Sequence, residues 1–377
     1  MRVLYTNFHS EWGGQALQVL LLAKTMRARG HSVVVFSPPE SVLAERAGEA
    51  GLLVDTSCAF GRGFRPLPFL RDVRTLRARL RDGGGDIVHA HGSQDNWIAA
   101  AALWHNPLRA LLFRTKHNSY PVARHALNRW LYNRANAHTI AVAETIREEM
   151  CSDGFVAPER VSVIHAGLDD RFIQEPRTPP EVIRREIGVP LSAPLIGLVG
   201  RLAPDKGQDT LVRAAPLVRE AFPDARFVLV GTGGDWDRIR ALIREGGLEG
   251  VVHWTGFRKD IASVTAALDV SVLAARDCDA SSTVVKEAMA LGVPVVASRV
   301  GGTSEILEQG SCGLLIKPGD AKELSQAIRL TLSDKAQALR RAVLAQDRVR
   351  RYVATAMAQE TEALYERVLA GQIEAKG

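Results

Sequence analysis

Apolar, β-branched runs alternate with longer helical stretches along almost the whole chain, and the alternation stops and restarts once. Val3 to Tyr5 leads through Gly13 and Gly14 into a helical stretch carrying Leu17, Val19, Leu20, Leu22 and Met26, then through Gly30 and His31 to a strand at Ser32 to Phe36. Strand, glycine turn, helix and strand form a βαβ unit, so the sheet it builds is parallel. Further strands are expected at 86–90, 110–115, 139–142 and 161–165. Prolines at 176, 179, 180 and 190 break the pattern between Phe172 and Pro190, and strands resume at 195–199, 226–230, 251–255, 270–273, 294–297 and 313–316. A chain of 377 residues also exceeds one ordinary core. The fold class is therefore α/β with two Rossmann-like domains, residues 1–175 and 190–352, joined through the proline-rich stretch. From Asp320 onward the pattern is helical, and 353–369 carries an apolar face that includes Tyr365.

Composition narrows the function classes. With 46% hydrophobic and 24% charged residues, and no apolar run near the roughly 20 residues that span a bilayer, the chain reads as a globular protein that does not cross a membrane. Met1 to Tyr5 enters a strand pattern directly, without the features of a signal peptide, and a cytoplasmic location is expected. Cys58, Cys151, Cys278 and Cys312 are scattered without metal-ligand spacing, so they read as reduced thiols; Cys278, beside Asp279, reads first as a small filler and second as a residue of the same site. The formal charge of +6 is concentrated between residues 62 and 134, where thirteen Lys or Arg (Arg109 among them) face four acids. There Phe60, Phe64, Phe69 and Leu70 interleave with Arg62, Arg65 and Arg71, and Arg74, Arg77 and Arg81 follow at helical spacing. Two readings stand side by side: an anionic membrane interface and a solvated helix face. No nucleic-acid-binding motif accompanies the charge.

Open α/β sheets bind ligands beyond the carboxyl ends of their strands, which directs attention to the loops that follow them. Gly13 and Gly14 let backbone approach an anion at a helix N-terminus, though a tight turn would need them equally. Gly200-Arg201-Leu202-Ala203-Pro204-Asp205-Lys206-Gly207 leaves a strand on a glycine and sets an Arg and a Lys five residues apart, a spacing suited to a diphosphate leaving group. Gly231-Thr232-Gly233-Gly234, with Thr255-Gly256-Phe257-Arg258, is a weak glycine-rich signal by itself. Asp279-Ala-Ser-Ser-Thr-Val-Val-Lys-Glu287 brackets a hydroxyl-rich turn with two carboxylates and opens a helix whose free amides favour anions and sugar oxygens. His89 and His91 end a strand and are candidates to line an acceptor cleft; without a third ligand they do not read as a metal site. His117 follows the next strand and could hydrogen-bond as a neutral imidazole.

These strings, in this order, resemble family 4 of the retaining GT-B glycosyltransferases (glycosyl transferases group 1), whose donor signature is a Glu, seven residues and a second Glu before Ala-Met-Ala-x-Gly-x-Pro-Val-Val-Ala. Here Asp279 takes the first acidic place, and His165-Ala166-Gly167-Leu168-Asp169 stands where the family usually has Pro-Asn-Gly-x-Asp. The resemblance implies a GT-B fold with two Rossmann-like domains facing across a cleft and a last helix, about 353–377, packing back on the first domain. It assigns the diphosphate to Arg201 and Lys206, the donor sugar to Asp279 and His117, the ribose to Glu287, and further donor contacts to Gly13, Gly14, Gly200, Gly231, Phe257, Arg258, Ser281, Ser282 and Thr283. It implies a metal-independent retaining hexosyltransferase that needs no cofactor beyond its nucleotide diphosphate sugar, a UDP-sugar by the family's habit. The acceptor expected is a lipopolysaccharide or other cell-surface glycan or glycolipid, met at the inner face of the cell membrane by peripheral contact. Two rival readings are a sugar-nucleotide epimerase or disaccharide phosphorylase of GT-B fold, and a non-catalytic sugar-binding protein.

Overall fold

The computed structural model describes residues 1–61, 63, 65–104, 110–175, 177–277 and 279–374. Arg62, Phe64, Arg109, Pro176, Cys278 and the end of the expected last helix at 375–377 lie outside the described residues. The chain forms two compact units, residues 1–167 with 354–377 and residues 168–353.

The first unit holds a seven-stranded sheet built from β1 (Arg2–Thr6), β2 (Ser32–Phe36), β3 (Leu53–Asp55), β4 (Ile87–Ala90), β5 (Leu111–Lys116), β6 (His138–Ala141) and β7 (Val161–Val163). Its order is β3-β2-β1-β4-β5-β6-β7, and every pairing is parallel. Parallel strands covered on both faces read as unbroken apolar runs. Leu53–Asp55 escaped the sequence reading because it is a three-residue edge strand with no buried side chain. The order reverses between β1 and β4, and a crevice opens beyond their carboxyl ends at such a switch point. The helix Ala354–Glu374 joins this unit, inserting Ala354, Met357, Ala358, Leu364 and Tyr365 into the core around Val3, Tyr5, Val19 and Met26. Burying a large apolar side chain is worth about 1.5–3 kcal/mol, so several together hold the helix firmly.

The second unit repeats the plan with β8 (Leu195–Val199), β9 (Arg226–Val230), β10 (Val252–Trp254), β11 (Val270–Leu273), β12 (Val295–Ser298) and β13 (Leu314–Ile316), in the all-parallel order β10-β9-β8-β11-β12-β13. Its switch point lies between β8 and β11. The division at Gly167/Leu168 differs from the expected linker at 172–190. Those residues fold as part of this unit: the helix Pro180–Ile187 buries Ile183 in the core, and Arg184 donates to the carbonyls of Ala267 (3.1 Å) and Ala193 (2.8 Å) and to Asp269 Oδ2 (2.8 Å). Pro179 at its N-cap and Pro180 at its first turn mark the start of a docked helix, and Pro190 lies after its end.

The basic N-terminal stretch divides on inspection. Phe60, expected on the surface, is 1% exposed at φ 47, with its amide donating to Asp72 Oδ2 at 2.8 Å. In the helix Pro66–Gly83, Arg77 caps the carbonyls of Ala101 (2.8 Å) and Ala102 (3.0 Å), and Arg79 pairs with Asp55 at 3.0 Å. Leu67, Leu70, Arg71 and Arg74 remain exposed. Among the described residues no helix is long and apolar enough to cross a membrane. Arg184→Ala removes a buried cation that satisfies several carbonyls and a carboxylate, and is expected to cost about 3 kcal/mol of stability in urea unfolding; an unchanged midpoint would contradict the docking of 180–193 onto the second unit.

Candidate functional site

In the second unit the loops at the switch point pack backbone against backbone. A Cβ on Gly231 would lie 2.1 Å from the Gly200 carbonyl, and one on Gly233 2.1 Å from that of Leu202. Both glycines are therefore demanded by close approach of the loops after β8 and β9, which accounts for a signal that was weak in sequence. The loop after β12 does the same to the loop after β11: a Cβ on Gly301 would lie 2.1 Å from the Asp279 carbonyl, and the Gly302 amide donates to the Ala280 carbonyl at 3.0 Å.

The fixed loops gather charge. Lys206 Nζ lies 3.8 Å from Asp279 Oδ2 and 3.6 Å from Asp205 Oδ2, while the exposed Arg201 reaches Asp205 at 3.4 Å. Burial pushes the Asp279 carboxyl up, and Lys206 and Lys286 pull it back. The helix Thr283–Ala290 starts at this point: Ser282 Oγ accepts from the Val285 amide at 3.4 Å, capping the helix, and Ser281 Oγ accepts from Lys286 Nζ at 2.7 Å. Lys286 is fully buried, and desolvation pulls its ammonium down to about 7 against the opposing pull of Asp279 and Glu305. Burial likewise raises Glu287, one position on, to about 7.

Lys286 escaped the sequence reading, although a signal was present. Val285, Lys286, Ala288 and Met289 form the buried face of this helix, and a lysine on an apolar face requires partners. Arg276 was also missed; it donates to the buried Asp209 at 2.6 Å, and its amide donates to the Asp205 carbonyl at 2.9 Å. Of the expected donor residues, Arg201, Lys206, Asp279, Ser281, Ser282 and Thr283 lie in this connected set, with Gly200 and Gly231 beneath it. Phe257 is 68% exposed. Arg258 is engaged by Asp260 at 2.8 Å and Glu186 at 2.9 Å, so its charge is already met within the protein. Trp254, which sequence reasoning passed over, stacks on Trp236 at 3.9 Å and donates from Nε1 to the Gly231 carbonyl at 2.8 Å.

In the first unit three histidines, His89, His91 and His117, form an array in which the first two are buried. His91 Nδ1 and His117 Nε2 share a hydrogen bond at 2.8 Å, and the His89 ring stacks on His91 at 4.3 Å. His89 does not line a cleft as expected: it is fully buried, with one ring nitrogen on Tyr365 and the other on Thr115 Oγ1 at 2.7 Å. Desolvation keeps all three rings neutral, taking His117 down to about 3 with Arg114 and His9 adding to the effect. Gly13 caps the helix Gly14–Ala28 with extended backbone, and a Cβ on either glycine would meet nothing within 4 Å, so neither the turn nor the packing demands glycine there. Gly167 is pinned by Gln18, which accepts its amide at 2.6 Å and donates to its carbonyl at 2.8 Å. Among the described residues no cluster of three or more His, Cys, Asp or Glu is placed to hold a metal ion.

Comparison with known proteins agrees with this architecture. Residues 12–172 match the family model described as Glycosyltransferase Family 4, and residues 180–347 that of Glycosyl transferases group 1. The chain is 29% identical over 372 residues to the phosphatidyl-myo-inositol mannosyltransferase of Mycobacterium leprae, covering 94% of this chain and 93% of that one. It is 27% identical over 314 residues to a D-inositol 3-phosphate glycosyltransferase of Corynebacterium aurimucosum, covering 76% and 73%. Among solved structures, Anabaena HepE in complex with UDP superposes with a TM-score of 0.81 at 24% identity, over 97% of this chain and all of that one. The fold is GT-B, and the chain is a glycosyltransferase.

The buried lysine has a sign that stability can report. Between about pH 7 and 10.5 the unfolded chain holds a proton on Lys286 that the folded chain has released, so this residue makes stability rise with pH in that window. Lys286→Met is expected to remove that rise in urea unfolding measured from pH 7 to 10; an unaltered slope would show that Lys286 stays charged.

Proposed function

We propose that this protein transfers a sugar from a nucleotide diphosphate sugar to an acceptor hydroxyl, with retention at the anomeric carbon and without a metal ion. The observation that carries the reading is the meeting of Lys206 and Asp279 at the N-terminus of the helix Thr283–Ala290. A helix N-terminus and a nearby lysine favour a diphosphate, and a carboxylate in the same place accepts hydrogen bonds from sugar hydroxyls. Arg201, exposed beside Asp205, adds a second cation on the leaving group, and Glu287 accepts from the ribose. In the transfer the bond from C1 to the diphosphate oxygen breaks while a C1–O bond to the acceptor forms on the same face. The acceptor proton passes to the departing phosphate, whose growing charge Arg201 and Lys206 stabilise.

The first unit takes the acceptor. A glycan or glycolipid of the cell envelope remains the class expected. Within it, a phosphorylated inositol or its lipid is the acceptor proposed ahead of lipopolysaccharide, a choice supported by the substrates named for the two relatives. Uridine is the base to test first, since HepE is described with UDP.

A thermal-shift panel of UDP-, GDP- and ADP-sugars in EDTA should give a shift with one nucleotide series. Arg201→Ala and Lys206→Ala should each weaken that series at least ten-fold, about 1.4 kcal/mol. Unchanged affinity in both variants would overturn the donor site.

A further inference from the structure

The first unit contains a cavity of about 400 Å³, within the range of small-ligand sites, whose lining includes Asn96, Trp97, Arg114, Lys116, Tyr120 and Tyr132. No Asp or Glu is among its described lining residues. Arg114, within β5, is 4% exposed; its Nε has no partner, and its Nη1 makes a 3.4 Å contact to the Ala90 carbonyl. Asn96, in the first turn of the helix Ser93–Leu103, is fully buried with both Oδ1 and Nδ2 unpaired. Lys116, also 4% exposed, is held by the carbonyls of Asn118 and Tyr120. Behind the wall, Asp95 Oδ2 accepts from Thr6 Oγ1 at 2.7 Å and from the His91 and Gly92 amides at 3.0 and 3.1 Å, offsetting one of the two cations. Unpaired buried donors of this kind cost about 1–3 kcal/mol each unless something completes them.

We infer that this cavity is a subsite for a phosphate group on the acceptor, with Arg114 Nε and Asn96 Nδ2 donating to separate phosphate oxygens and Lys116 supplying charge. Donors arriving from a strand and from a helix start meet different oxygens of a tetrahedral anion, where a planar carboxylate would be gripped along one edge. The rings of Trp97, Tyr120 and Tyr132 offer apolar faces to the polyol or sugar ring that carries the phosphate. The inference rests on the transferase reading for its function, since that reading makes the first unit the acceptor holder, but the subsite itself can be tested without donor.

Binding of myo-inositol 1-phosphate and of myo-inositol should be compared by calorimetry on the full chain, with nucleotide-sugar binding measured separately. The phosphorylated ligand should bind at least ten-fold more tightly. Asn96→Asp, which keeps the shape and replaces the amide donor by a negatively charged oxygen, and Arg114→Gln should each abolish the preference while leaving the nucleotide-sugar shift in place. Equal affinity for the two ligands, or a preference that survives both substitutions, would overturn the subsite while leaving the donor reading standing. Absence of any nucleotide-sugar shift in the unsubstituted protein would instead overturn the donor reading, with the inositol phosphate titration still deciding the subsite. Vesicles containing phosphatidylinositol form the second arm: Asn96-dependent binding there, in place of the soluble phosphomonoester, would assign the same phosphate chemistry to a lipid headgroup.

Discussion

The second unit of this protein depends on loops that touch through their backbones. Where Gly231 meets the Gly200 carbonyl, Gly233 that of Leu202 and Gly301 that of Asp279, a single methyl group would force the loops apart. That contact brings the ends of β8, β9, β11 and β12 into one surface and sets Lys206 within 3.8 Å of Asp279. A catalytic constellation needs placement to within about 0.5 Å, and stacked backbone is stiffer than contact between long side chains.

Electrostatics at that surface is balanced by burial. Asp279 is desolvated and its carboxyl rises, yet Lys206 on one side and Lys286 on the other favour its charged form. Lys286 in turn holds Ser281, so the same ammonium steadies the turn that opens the helix. A buried lysine and a half-buried glutamate at adjacent positions, both drawn toward neutrality, leave the site sensitive to any ligand that brings charge or displaces water.

Much of this was legible in the sequence for a physical reason. Strands in a parallel sheet covered on both faces are continuous apolar runs, and β8, β9 and β11 fall at the bounds expected. The loops that gather at the switch point of the second unit were visible because glycine, cation and carboxylate recur at fixed offsets from strand ends. What escaped was tertiary. Prolines at 176–190 signal turns, but the docking of Arg184 depends on Ala267, 83 positions away. Phe60 sits among arginines in the sequence, yet a positive-φ turn and Asp72 draw it inside. Asn96 and Arg114 look like ordinary surface residues until folding buries them with polar atoms unpaired.

Two units of one architecture thus carry different chemistry: the second presents cations and carboxylates at a helix start, and the first a basic cavity beside neutral histidines. The most direct test is mass spectrometry of a reaction in EDTA, with the nucleotide sugar found to bind and a phosphorylated polyol acceptor, following nucleotide and acceptor together. The account predicts release of the nucleoside diphosphate matched by the gain of one sugar residue on the acceptor. Conversion of the donor to an isomer, or nucleotide release with the acceptor mass unchanged, would contradict it.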